Sequence, residues 1–339
     1  MNLAILKNSI LLFLFLSSSA YAQVQNSAAC FEEVQSKIAK DSVKLSQVYL
    51  ASEPEVGLVR ESNHTRVHLG TNGKAAILLH GYAGSPFEVD SIAEVFQKQG
   101  YTTIQPLIFG YGSTASIANK SDASKWMASL TSTMHDIAPC VSAVSLVGFS
   151  LGGSLVTDFV LNDRSVSDGG IYKSSSGKKV RIESLVLAAP FYRLGVRVPQ
   201  VIVDMLQSLM PTMNAPAMYQ LTGMNDLRVF NLYPQYYNAE MPLSAGRNVL
   251  RYGRSIIKRT DKELVSDIPV LLAYSEDDIT IDKKLASQFV RTHFSNFRDF
   301  VYPRSMKAPH QFMVPAVNPL NFLFLDQLQV FLRGESSSI

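Results

Sequence analysis

Residues 143–157 read Ala143-Val144-Ser145-Leu146-Val147-Gly148-Phe149-Ser150-Leu151-Gly152-Gly153-Ser154-Leu155-Val156-Thr157. The first five are an apolar run suited to a buried strand, and the last five suit a helix. Between them stands Gly-x-Ser-x-Gly. A serine at a sharp strand-to-helix turn is driven into a strained backbone conformation, and larger side chains two residues away on either side would clash. Its hydroxyl then projects above the sheet edge, within reach of a base. The next residue, Leu151, offers a backbone N–H to a developing oxyanion. Ser150 is therefore the candidate nucleophile. The bland alternative is a glycine-rich turn.

Strand and helix patterns alternate around this turn. Lys74–Leu79 is a continuous apolar run expected of a central parallel strand. A helix is expected over Pro86–Gln99, a strand over Tyr101–Ile104 and a helix over Asp122–Ile137. Further strands are expected at Arg181–Ala188, Pro269–Tyr274 and Asp299–Tyr302. Helices are expected at Lys283–Phe294 and Leu320–Leu332. Such alternation implies a mostly parallel sheet covered by helices on both faces. Asn162–Val180, rich in Gly, Ser and Lys, reads as a surface excursion. The alternation breaks over 191–267, which carries six methionines and prolines at 199, 211, 216, 234 and 242. Several short helices forming a lid are expected there. Methionines suit a pocket for flexible chains, and they also simply fill cores.

The chain has 339 residues, 47% hydrophobic and 17% charged, enough for a large buried core. Net charge is +3, too little to argue for a nucleic-acid partner. Lys7, the apolar run Ile10–Leu16 and Ala20-Tyr21-Ala22 form an export signal, with cleavage expected after Ala22. The product is expected in the periplasm or the medium. Two cysteines in an exported chain, Cys30 and Cys140, suggest one disulfide. The expected segments are a signal peptide (1–22), an N-terminal helical extension (23–66), a first core part (67–190), the lid (191–267) and a second core part (268–339).

Of six histidines, His64, His68, His80 and His135 precede Ser150. His293 falls in an amphipathic helix pattern. His310, in the loop after the last strand, is the candidate base, able to take the serine proton and return it to a leaving group. The acid should follow the strand that ends at Tyr274. Glu276, Asp277, Asp278 and Asp282 qualify by position, and Asp277 is the preferred choice. The turn His80-Gly81-Tyr82-Ala83-Gly84-Ser85-Pro86 can aim the Tyr82 N–H at an oxyanion, with His80 bracing it.

These motifs resemble those of the α/β-hydrolase superfamily, most closely its carboxylesterase and monoacylglycerol-lipase-like branch. The resemblance runs from about Lys74 to Leu332, interrupted by the lid. It implies the α/β-hydrolase fold with an inserted helical lid, a triad of Ser150, Asp277 and His310, and oxyanion donors at Tyr82 and Leu151. It further implies hydrolysis of carboxylic esters through an acyl-enzyme, with no cofactor. Gly110-Tyr111-Gly112 departs from the family's usual Gly-His-Gly. A small-molecule or lipid ester is the expected partner. Arg247, Arg251, Arg254 and Lys258 recur on one helical face of the lid, as a solvated surface or as a contact for an anionic headgroup or membrane. A peptidase or amidase, an acyltransferase, and a non-catalytic binding protein on the same scaffold stay open.

Overall fold

A computed structural model describes residues 29–40, 63–167, 169–196, 212–214, 217, 220 and 227–335. The signal segment 1–22 lies outside them. Two central strands are apolar apart from one residue each: β2 (Lys74–Leu79), buried from Ala75 onward, and β4 (Ala143–Phe149), buried throughout, with Lys74 and Ser145 the exceptions. A strand covered on both faces has no use for polar alternation. The eight-stranded sheet runs β1-β3-β2-β4-β6-β9-β10, with β5 paired to β6. The added elements are β1 (Arg66–His68), β3 (Thr102–Gln105), β5 (Ile171–Lys173), β6 (Lys179–Ala188), β9 (Val270–Ser275) and β10 (Phe297–Tyr302). Pairing is parallel except at β1–β3 and β5–β6. The excursion expected over 162–180 thus contains β5, which folds back onto the start of β6.

From β2 the chain first moves to β3, then crosses back to β4 and continues through β6, β9 and β10. The strand order therefore reverses between β2 and β4, where Leu79 faces Gly148. Crevices open at the strand ends of such a reversal. Both turns singled out in the sequence, 80–86 and 148–152, leave the sheet there.

Helices flank the sheet, and the short α3 (Ala115–Asn119) follows β3. Helix α4 (Ala123–Ile137) packs with α5 (Leu151–Asn162) over β2 and β4, while α2 (Asp90–Lys98) packs with the last helix, α9 (Asn321–Leu332). Helix α4 starts where Asp122 accepts the N–H groups of Ser124 and Lys125, an N-cap made by its own sequence. The helix expected over 86–99 is instead a 3-10 turn, Pro86–Val89, followed by α2. The first helix, α1 (29–40), is bonded to the core by the Cys30–Cys140 disulfide, placed just before β4.

Between β6 and β9 the described residues are not only short helices. They include the antiparallel pair β7 (Thr212–Asn214) and β8 (Glu240–Pro242) and the 17-residue helix α7 (Leu243–Arg259), besides the short α6 (Arg228–Leu232); the eleven-residue α8 (Lys283–His293) follows β9. Helix α7 turns Ala245, Val249, Tyr252, Gly253 and Ile256 inward. Arg251, Arg254 and Lys258 are exposed on its other side, and Arg247 is half-buried. Asp158 of α5 holds this helix: it accepts the Tyr252 hydroxyl at 2.7 Å and pairs with Arg259.

Candidate active site

Ser150 sits at φ 51°, ψ −112°, outside the conformations an L-residue adopts freely. Two glycines make the turn sterically feasible. A Cβ on Gly148 would lie 2.3 Å from the Gly152 carbonyl oxygen, and one on Gly152 would lie 2.3 Å from that of Leu79. The strained residue is pinned by its neighbours. Its N–H donates to Ala188 at 2.9 Å, and its carbonyl accepts the N–H of Phe191 at 3.0 Å. Leu151 is the first residue of α5, so its N–H has no acceptor within that helix.

His310 is buried on the loop that follows β10. Its ring packs on Phe149, the residue before Ser150, with centroids 4.9 Å apart. Strand β10 is three places from β4 in the sheet, about 14 Å at normal strand spacing. The segment 303–310 is long enough to bring the imidazole back across that gap.

The acid that meets it is Asp278, and not Asp277. His310 Nδ1 and Asp278 Oδ2 are 2.7 Å apart, with side chains only 2% and 1% exposed. Asp277 is 41% exposed and faces Arg304 at 3.7 Å. The reason is the length of the strand. Strand β9 continues to Ser275, whose hydroxyl accepts the Asp277 N–H at 3.2 Å and whose carbonyl accepts that of Asp278 at 3.2 Å. This tight turn sends residue 277 outward and residue 278 inward. The other Asp278 oxygen accepts the Thr280 N–H at 2.8 Å, which fixes the carboxylate's rotamer. Of the other acids considered, Glu276 accepts the Arg304 N–H, and Asp282 caps α8 and pairs with Arg193.

His80 is buried within the turn that follows β2. The Ile108 N–H donates to its Nε2 at 3.0 Å, so the ring proton sits on Nδ1, which donates to the Gly81 carbonyl at 2.8 Å. Burial lowers its pKa to about 4, so it stays neutral and works as a brace. Tyr82 packs edge-on to Tyr111, which continues through Trp126 to Tyr252 of α7. His293 is buried and bonded to the Leu264 carbonyl, away from this cluster.

Glu88 is the residue that sequence reasoning missed. It is buried beside the turn and accepts the Gly81 N–H at 2.8 Å and the Tyr237 hydroxyl at 2.9 Å. Burial pushes its carboxyl up to about 7, against the pull of both hydrogen bonds and of a charged His310. Its signal was positional: Glu88 falls in the i, i+4, i+8 series with buried Ile92 and Phe96, an acid on an apolar face. Among the described residues no cluster of three or more His, Cys, Asp or Glu is placed to hold a metal ion.

A parallel sheet reversed at β2/β4, with an elbow serine, an acid turn and a terminal histidine in that chain order, is an α/β hydrolase. The chain belongs to the Hydrolase_4 family, described as serine aminopeptidase, S33, whose model it matches over residues 71–306. It is 29% identical over 85 residues to a thermostable monoacylglycerol lipase of Bacillus sp. (strain H-257), a match covering 25% of this chain and 34% of that relative. Among solved structures it is similar in fold to a soluble variant of monoglyceride lipase from Saccharomyces cerevisiae (TM-score 0.60, 14% identity, 81% of this chain and 92% of that one). It is also similar to the monoacylglycerol lipase of Paleococcus ferrophilus (TM-score 0.58, 14% identity, 80% and 99%).

Proposed function

We propose that this protein is a serine esterase that hydrolyses carboxylic esters of lipid-like or medium-chain acyl groups. The observation that carries the reading is the buried Asp278–His310 pair, whose imidazole packs on Phe149, the residue before the strained serine at the β4–α5 turn. In the proposed mechanism His310 takes the Ser150 proton as the hydroxyl attacks the ester carbonyl. Asp278 holds the Nδ1 proton in place and stabilises the imidazolium that forms. The N–H groups of Tyr82 and Leu151 bind the oxyanion. The imidazolium then protonates the departing alcohol, and water repeats the sequence on the acyl-enzyme. The names of the lipase relatives support a monoacylglycerol-like substrate.

A second reading, cleavage of an aminoacyl amide, is favoured by the family's description as a serine aminopeptidase. Turnover of p-nitrophenyl esters of increasing chain length, of monoacylglycerols and of aminoacyl p-nitroanilides, each with wild type and Ser150→Ala, tests both. Ester turnover lost in Ser150→Ala supports the first reading. Anilide turnover above ester turnover overturns it. We also propose that the protein is exported and cut after Ala22; N-terminal sequencing of the mature protein should then begin at Gln23.

A further inference from the structure

Gly81 has no side chain to limit its two backbone dihedrals, yet the peptide that follows it carries the Tyr82 N–H proposed to meet the oxyanion. Both peptides flanking Gly81 are held by side chains. Its carbonyl accepts the His80 Nδ1 proton at 2.8 Å. Because a trans peptide is planar, fixing that carbonyl also fixes the Tyr82 N–H, which points the opposite way. Its own N–H donates to Glu88 at 2.8 Å. The turn wraps the carboxyl closely: a Cβ on Gly84 would lie 2.2 Å from Glu88 Oε2.

The second oxygen of Glu88 reaches the insertion between β6 and β9, where it accepts the Tyr237 hydroxyl at 2.9 Å. The neighbouring Asn238 donates its N–H to the Ala83 carbonyl at 2.9 Å, and its Oδ1 accepts the Gly112 N–H at 2.9 Å. Residues 237–238 are thus bonded to the turn at Ala83, to the Glu88 carboxylate that holds it, and to the loop at Gly112.

We infer that Glu88 is a positioning residue that, through Tyr237, couples the placement of segment 237–238 to the aim of the Tyr82 N–H at the oxyanion site. The inference rests on the esterase reading of Ser150. Two donors converge on one carboxylate, so only the ionised form accepts from both. Protonation of Glu88 makes one oxygen a donor, which reverses the Tyr237 contact and leaves the Gly81 N–H on a neutral, weaker acceptor. Two titratable groups bear on it: Tyr237 from the insertion and His310 from the loop after β10. The glutamine amide has a single acceptor oxygen, so it keeps the Gly81 N–H only by turning its NH2 to the Tyr237 hydroxyl and reversing that bond.

The test is kcat and KM of wild type, Glu88→Gln, Glu88→Ala and Tyr237→Phe on p-nitrophenyl butyrate between pH 5.5 and 8.5, with melting curves for each. An oxyanion donor strengthens its contact in the transition state, so misaiming it lowers kcat more than it changes KM. A whole donor is worth about 10²–10³ in kcat, so misaiming should cost about 10- to 100-fold in Glu88→Ala and roughly 3- to 10-fold in Tyr237→Phe. KM should stay within about threefold. The acid limb of wild-type kcat should be steeper than that of Glu88→Gln by the one proton that Glu88 takes up. Wild-type kcat and an unchanged acid limb in both Glu88→Gln and Tyr237→Phe overturn the inference alone. A wild type that turns over no ester overturns the esterase reading, and the inference falls with it. If the Glu88 variants do not fold, Tyr237→Phe, which removes one oxygen atom, decides.

Discussion

Replacing Asp278 by asparagine should nearly silence the enzyme, while the same change one residue earlier should not. The structure supplies the reason. Asp278 uses one oxygen for the Thr280 N–H at 2.8 Å and the other for His310 Nδ1 at 2.7 Å. An asparagine in this position must keep its carbonyl oxygen on the Thr280 donor, since an amide N–H there would face another N–H. Its NH2 then points at His310 Nδ1 and drives the ring proton to Nε2. That nitrogen is the one that must accept the Ser150 proton. The wrong-tautomer effect lowers kcat by about 10⁴ in serine hydrolases with this relay, which corresponds to about 5.5 kcal/mol of barrier. Asp277→Asn touches only a half-exposed carboxylate facing Arg304, and kcat/KM should stay within about twofold of wild type. The assay is kcat/KM on a soluble p-nitrophenyl ester at pH 8, with melting curves confirming that both variants are folded. The reasoning is refuted if folded Asp278→Asn keeps more than about a tenth of wild-type activity, or if Asp277→Asn loses as much as Asp278→Asn.

Glu88 also makes stability depend on pH. Its folded pKa, raised from 4.5 to about 7, favours the protonated form, so its stabilising effect is complete below pH 4.5 and is lost as pH rises through 7. Urea unfolding should show Glu88→Gln gaining about 3 kcal/mol on wild type between pH 4.5 and pH 8, and a pH-independent difference would contradict this. Removing the Cys30–Cys140 bridge, which spans 110 residues, should destabilise by up to about 5 kcal/mol in the chain-entropy account. A loss below about 1 kcal/mol in the double-serine variant, read by guanidinium unfolding, would show that helix 29–40 is held by packing alone. Gly148→Ala should abolish activity in whatever protein folds, because the new methyl would overlap the Gly152 carbonyl; wild-type turnover there would refute the account of the elbow.

Much of the frame was legible because one-dimensional patterns carried it. Continuous apolar runs marked β2 and β4, and two glycines around Ser150 marked a turn that tolerates no Cβ. Chain order then sorted the histidines down to His310. The acid was missed by one position for a physical reason: Glu276, Asp277 and Asp278 are equivalent until the end of β9 is fixed. That end is set by pairing with β10, up to Tyr302 opposite Ser275, a contact between residues far apart in sequence. Glu88 escaped because its partners, Gly81 and Tyr237, lie 7 and 149 positions away, and the longer of these contacts exists only in the folded chain. The basic face over 247–258 reads as helical, but the 17-residue length of helix α7 was obscured by the prolines and methionines around it, which describe the whole insertion and not its most regular part.

The most direct test is the reaction of the intact protein with a fluorophosphonate, followed by peptide mass spectrometry. An activated serine is phosphonylated while other serines are not. The account predicts a single modification, on Ser150, that is lost in Ser150→Ala and strongly slowed in Asp278→Asn and His310→Ala. Modification of a different serine, or none on a folded protein, would contradict it.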